Sequence, residues 1–136
     1  MVRIELDSLT SGSLPADGLA CVQVRGQRKV GASTLTVTAG EIDTSCSSSD
    51  RHFIQAPVEA ESPETSITLL GSLLNVSNPT DTPPYVDVND LPITRAAFFN
   101  AVTPATTNSA GVSRPGTLVK VIFDGLNTVR QVELED

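Results

Sequence analysis

The chain has one histidine, His52, and a catalytic arrangement of serine, histidine and aspartate would have to be built around it. The sequence contains no G-x-S-x-G motif, the setting of the nucleophilic serine in many hydrolases. Paired carboxylates could hydrolyse glycosides, but sugar-binding clefts normally use aromatic platforms, and the chain has four Phe, one Tyr and no Trp. We therefore expect a protein that is not an enzyme.

The residues that could bind a metal are equally few. Cys21 and Cys46 lie far apart and lack the CxxC spacing and neighbouring histidines of a zinc site. Outside a reducing cytosol the two thiols could pair, and otherwise they are free. Asp87, Asn89 and Asp90 offer oxygen ligands, but the segment is shorter than a complete calcium loop, so turn residues are the favoured interpretation. We expect no metal and no cofactor.

The charge of the chain limits its partners. Sixteen acidic residues against nine basic ones give a formal charge of -7, which would repel a phosphate backbone, so nucleic-acid binding is not expected. No run of about 20 apolar residues is present, so no membrane span is expected. The first residues alternate apolar and charged side chains, unlike a secretion signal.

Hydrophobic alternation predicts mainly strands. The period of two is clearest at 2–6, 34–39, 117–123 and 128–134, and the last two segments form a hairpin by pattern. Shorter strands are predicted at 19–25, 51–55 and 85–88, with a turn at 26–31 and a solvated connection at 57–64. The 136 residues fit a single domain, 1–136. We predict an all-β fold, either a sandwich or a small barrel of about eight short strands.

Two segments do not follow the strand pattern. Residues 90–102 fit both a helix and a strand, and Asp90 before Pro92 could cap a short helix near 91–101. Residues 103–116 form a long polar loop, and loops of that length are usually functional or mobile.

Surfaces for protein contacts are suggested by three features. Residues 67–76 are apolar on both faces when extended, which predicts one strand that is buried on both sides or covered by a partner, with a helix as the alternative. The segment belongs either to the core or to an oligomer interface. A basic turn interrupts the acidic background and could dock onto a carboxylate-rich partner. The terminal strands, 2–6 and 129–134, could pair with a neighbouring chain. The candidate interface residues are Ile67, Leu69, Leu70, Leu73, Leu74, Arg25, Arg28, Lys29, Val129 and Val132.

In general character the whole chain resembles the small β-sandwich structural proteins of tailed-phage virions, such as head decoration and tail proteins. The resemblance rests on few catalytic residue types, richness in Ser, Thr, Val and Ala, and terminal strands. It implies location in a virion, many copies, homo-oligomers and symmetric protein contacts within a capsid or tail. The alternative is an extracellular module that binds a glycan or a receptor through loops at one end of a sandwich.

Overall fold

A computed structural model describes residues 52–124 and 128–136 in full, and the backbone of strands within 4–43. The chain divides into two compact units, unit 1 (Met1–Asp50) and unit 2 (Arg51–Asp136). The single domain expected over 1–136 stays a prediction. Cys21, Cys46 and Lys29 lie outside the described residues, so the two alternatives for the cysteines, paired or free, both stay open.

The described residues of unit 1 form four strands, and the longest pairs with the other three. β1 and β2 pair in parallel with β4, and β3 pairs with β4 antiparallel. The register of β3 on β4 shifts between Arg25 and Gln27, where Gly26 lies opposite both Ala39 and Gly40, so the extra residue is on β4. The predicted turn at 26–31 begins too early, since the strand continues to Arg28. The strands are β1 (Ile4–Leu6), β2 (Leu9–Ser11), β3 (Gln23–Arg28) and β4 (Leu35–Asp43).

Unit 2 has nine strands in three sheets and one short helix, so the predicted all-β class is confirmed, and its described strands form no closed barrel. Several strands have only two or three residues and show no alternating pattern. The elements are β5 (His52–Pro57), β6 (Ala60–Ser62), β7 (Ser66–Leu69), β8 (Ser72–Asn75), β9 (Tyr85–Val86), α1 (Arg95–Ala101), β10 (Thr106–Thr107), β11 (Ser113–Arg114), β12 (Leu118–Phe123) and β13 (Val129–Leu134).

The largest sheet of unit 2 has the order β5-β12-β13-β9. β12 pairs antiparallel with β5 and β13, as its alternation predicted for the C-terminal hairpin, and β9 runs parallel to β13. Val119, Val121 and Val132 are fully buried on one face of this sheet. The second sheet has the order β6-β7-β8, and β10 pairs with β11 as a separate short hairpin.

The core of unit 2 joins these sheets to the helix. Phe98 and Phe99 of α1 are buried, and their rings meet edge to face with centroids 5.3 Å apart. The Tyr85 ring lies 5.3 Å from Phe98, and its hydroxyl donates a hydrogen bond to the buried Val76 carbonyl. This aromatic cluster holds α1 and β9 together within a core that is otherwise mostly aliphatic.

The proline-rich segment before β9 is tied to β13 by polar contacts. Arg130 forms a salt bridge with Asp81, with Nη2 2.8 Å from Oδ1, and its Nε donates to the same oxygen at 2.8 Å. The Asp81 backbone N–H donates to the Arg130 carbonyl, and Gln131 Nε2 donates to the Pro83 carbonyl at 2.8 Å. These bonds position β9 beside β13.

Three local predictions for unit 2 need correction. The connection predicted at 57–64 contains β6, in which Glu61 pairs with Ile67. The loop predicted at 103–116 contains the β10–β11 hairpin. The helix near 91–101 is confirmed, but it is capped by Thr94, whose Oγ1 accepts the Ala97 N–H at 3.1 Å, and not by Asp90. No helix in the described part of the chain has the length and apolar character needed to span a bilayer.

Candidate interaction surface

The apolar segment predicted as one strand is a tight hairpin. β7 and β8 pair antiparallel on either side of Leu70 and Gly71, which have positive φ angles of 52° and 77°. Two central residues with positive φ are typical of a type I′ turn, whose twist suits a two-residue hairpin. The prediction of a continuous strand over 67–76 was therefore wrong.

The hairpin separates the predicted interface leucines and isoleucine into core and surface. Ile67 and Leu69 on β7 are fully buried in unit 2, and Leu70 and Leu74 are half-buried against the core. Leu73 on β8 is 74% exposed. Of these five side chains, Leu73 offers the largest exposed fraction to a partner.

The other predicted interface residues lie on the last strand and on β3. Val132 is fully buried, and Val129 is half-buried against the core, so neither projects freely from the last strand. Arg25 and Arg28 lie on β3, but their side chains are outside the described structure. Their role in docking stays a prediction.

The turn favoured at Asp87, Asn89 and Asp90 is a loop motif at 87–91 whose hydrogen bonds were not predicted. Asp87 Oδ1 accepts the backbone N–H groups of Asn89 at 2.8 Å and Leu91 at 3.0 Å. The Asp87 N–H donates to the Leu91 carbonyl, and the Asp90 N–H donates to the Asp87 carbonyl. Asp90 has a positive φ of 61°. The carboxylate considered as a calcium ligand thus closes its own loop, and Val88 and Leu91 remain 48% and 58% exposed.

The same motif occurs at 108–112. Asn108 Oδ1 accepts the N–H groups of Ala110 at 3.0 Å and Val112 at 2.9 Å. Asn108 N–H donates to the Val112 carbonyl, Gly111 N–H donates to the Asn108 carbonyl, and Gly111 has a φ of 78°. Val112 is 55% exposed, like Leu91 at the matching position. Both loops therefore hold an exposed aliphatic side chain in a backbone fixed by four hydrogen bonds.

A third segment closes in the same way between β12 and β13. Asp124 N–H donates to the Thr128 carbonyl at 3.0 Å, and Thr128 N–H donates to Asp124 Oδ1 at 3.2 Å. A signal for all three was present in the sequence, since each opens with Asp or Asn, and a residue type that tolerates positive φ follows three positions later.

The 87–91 and 108–112 loops start from the same end of the largest sheet. Val86 lies beside Glu133 near the end of β13, where β12 begins, and the 87–91 loop follows it. The β10–β11 hairpin is joined to this end because Thr117 donates its N–H to Thr103 and Ala105 donates its N–H to Val58. We call the two loops together the loop end.

Several carboxylates lie beside the 87–91 loop. Burial raises the pKa of Glu135, a hydrogen bond with Glu133 and the charge of Asp90 raise it further, and Lys120 opposes them. Lys120 also forms a salt bridge with Glu133, Nζ to Oε2 3.1 Å. The structure thus places Asp90, Glu133 and Glu135 together with Lys120 beside the 87–91 loop. Arg114 of β11 lies next to the 108–112 loop.

The structure also places the histidine that was considered for catalysis. His52 is exposed at the start of β5. Among the described residues, no group of three His, Cys, Asp or Glu side chains could hold a metal ion. Comparison with known proteins finds no family model, no curated protein and no solved structure that matches this chain.

Proposed function

We propose that the chain is a non-enzymatic structural subunit that binds neighbouring protein subunits, with the loop end as one contact surface. The observation that carries the proposal is the pair of loops with the same geometry, each presenting an aliphatic side chain, Leu91 or Val112, that is more than half exposed. Exposed aliphatic groups gain free energy when a partner removes them from water.

The construction of the loops favours binding. Each Asp87 or Asn108 side chain holds its loop through two N–H groups, so the backbone is already ordered before a partner arrives. A preorganised surface avoids the entropy cost of ordering a loop on association.

The charge around the loop end indicates the chemistry of the partner. Asp90, Glu133 and Glu135 favour a surface that combines an apolar patch with Lys or Arg side chains. In this sequence, three of the nine basic residues lie together, and a neighbouring copy could supply them. A contact between two different surfaces of identical subunits generates rings or filaments. The clustered residues are Arg25, Arg28 and Lys29.

This mode of action agrees with the resemblance to virion structural proteins. A subunit of a phage head or tail works by occupying a fixed position among many copies, and an acidic surface keeps the free subunit dispersed. We therefore propose an accessory capsid or tail subunit as the setting.

Light scattering after size exclusion tests the loop end directly. The double variant Leu91→Ser/Val112→Ser should lower the concentration-dependent native mass relative to the wild type, because it removes the exposed aliphatic groups and keeps the loop bonds. The control, Ala96→Ser/Ala97→Ser, alters exposed positions on α1 and should leave the mass unchanged. Equal masses for the loop variant and the wild type would contradict the role of the loop end.

A further inference from the structure

The edge strand β8 is open to pairing. The sheet order β6-β7-β8 places β8 at one edge, and among the described strands β7 is its pairing partner. Edge strands with free N–H and C=O groups are templates for pairing with another chain, and proteins usually protect them with charges, prolines or short lengths.

The other edges near β8 carry such protection. β6 has three residues, including Glu61, and Pro63 follows it directly. β9 has only two residues. β8 reads SLLN, without charge or proline, and Leu73 at its centre is 74% exposed. In a chain with a net charge of -7, this neutral edge is a place where a second copy can approach without repulsion between side chains of the strand.

The hairpin register determines which backbone groups face outward. Leu69 and Ser72 close the two-residue turn, and a closing pair of this kind is hydrogen-bonded. Hydrogen-bonded and non-hydrogen-bonded pairs alternate along an antiparallel ladder, so the Thr68–Leu73 pair is of the second kind. The N–H and C=O of Leu73 therefore point away from β7, toward the open edge.

We propose that β8 pairs antiparallel with β8 of a second copy of this chain, on a two-fold axis at Leu73. The two Leu73 residues then exchange both backbone hydrogen bonds, and their side chains lie side by side on one face of a continuous six-stranded sheet formed from two three-stranded sheets. The contact is isologous, because each copy contributes the same strand. This inference rests on the proposed assembly function and specifies where two copies meet.

Cysteine cross-linking tests the register. In a Cys21→Ser/Cys46→Ser background, Leu73→Cys should form a covalent dimer on mild oxidation, because the two Cα atoms of a hydrogen-bonded pair lie about 5.5 Å apart. Asn75→Cys is the matched control, since Asn75 is also exposed on the same face of β8. In the proposed register two copies of residue 75 lie about 13 Å apart, beyond the reach of a disulfide. The expected result is a dimer fraction at least about tenfold larger for Leu73→Cys.

A second variant tests the contact without a new disulfide. Leu73→Lys places like charges on the two-fold axis and should lower the native mass of the oligomer by removing the β8 contact, while leaving the circular dichroism spectrum unchanged. Equal cross-linking of Leu73→Cys and Asn75→Cys, with an oligomeric wild type, would overturn the β8 contact and leave the assembly function intact. A monomeric wild type at every concentration would contradict both.

Discussion

Removal of the Tyr85 hydroxyl by Tyr85→Phe is expected to destabilise unit 2. Tyr85 is 3% exposed, and its hydroxyl donates to the carbonyl of Val76, a fully buried residue. The substitution retains the ring and its contact with Phe98, so the loss comes from the hydrogen bond alone. A buried acceptor left without its donor costs about 1–3 kcal/mol, and we expect the free energy of unfolding to fall by that amount.

Urea unfolding followed by circular dichroism measures this change, and hydrogen exchange with peptide-level mass spectrometry shows whether the loss lies in unit 2. The exposed-site variant Ser109→Ala, which also removes a hydroxyl, serves as the control and should change the free energy by less than about 0.5 kcal/mol. If Tyr85→Phe is no more destabilising than this control, the bond from Tyr85 to Val76 does not stabilise the core.

Three further results are expected from the same unit. Gly116→Ala should lower the free energy of unfolding in urea by about 1–3 kcal/mol, because an added Cβ would lie 1.9 Å from the Val58 carbonyl oxygen. The control Gly111→Ala meets no atom within 4 Å and should lower it by roughly 1 kcal/mol because of its positive φ. Equal losses for the two variants would contradict the close approach at Gly116. Asn108→Ala should speed hydrogen exchange at the Ala110 and Val112 amides, which lose their acceptor, and unchanged exchange would show that the side chain does not hold the loop. Burial raises the pKa of Tyr85, so the tyrosine of the unfolded state loses its proton at a lower pH than that of the folded state. The resulting stabilisation is complete below about pH 10 and declines as pH rises through the folded pKa. The free energy of unfolding of Tyr85→Phe should lack this decline, and the same pH dependence in both proteins would refute the raised pKa.

The strand content of unit 2 could be predicted where one face is buried. In β12 and β13, Val119, Val121 and Val132 are buried, and this is the period of two that the sequence displays. The neighbouring Lys120, Gln131 and Glu133 are half-buried, whereas Ile122 is buried as well. α1 was predictable only as one of two alternatives, because residues 90–102 fit both a helix and a strand, and its cap was assigned to Asp90 and not to Thr94.

The β7–β8 hairpin could not be predicted from hydrophobicity alone. Leucines on both strands gave a continuous apolar run, and the turn depends on a leucine in a left-handed conformation, which is rare for that residue. Gly71 was the available signal. Leu73 and Leu74 are neighbouring residues of the same type, so the pairing register alone decides which of them is exposed.

The loop end was only partly accessible from sequence. The long polar segment was recognised as a candidate binding loop, but its β10–β11 hairpin depends on tertiary bonds such as that from Ala105 to Val58. The 87–91 loop lies close to Glu135 because β9 pairs in parallel with β13. This pairing is a long-range contact that local sequence patterns do not encode.

The native mass of the wild-type chain, measured by sedimentation equilibrium over a wide concentration range, is the most direct test of the proposed assembly function. The account predicts a mass of at least twice the 14.3 kDa of one chain, increasing with concentration as further contacts form. A mass of one chain at every concentration would contradict the claim that this protein functions through contacts between its own copies.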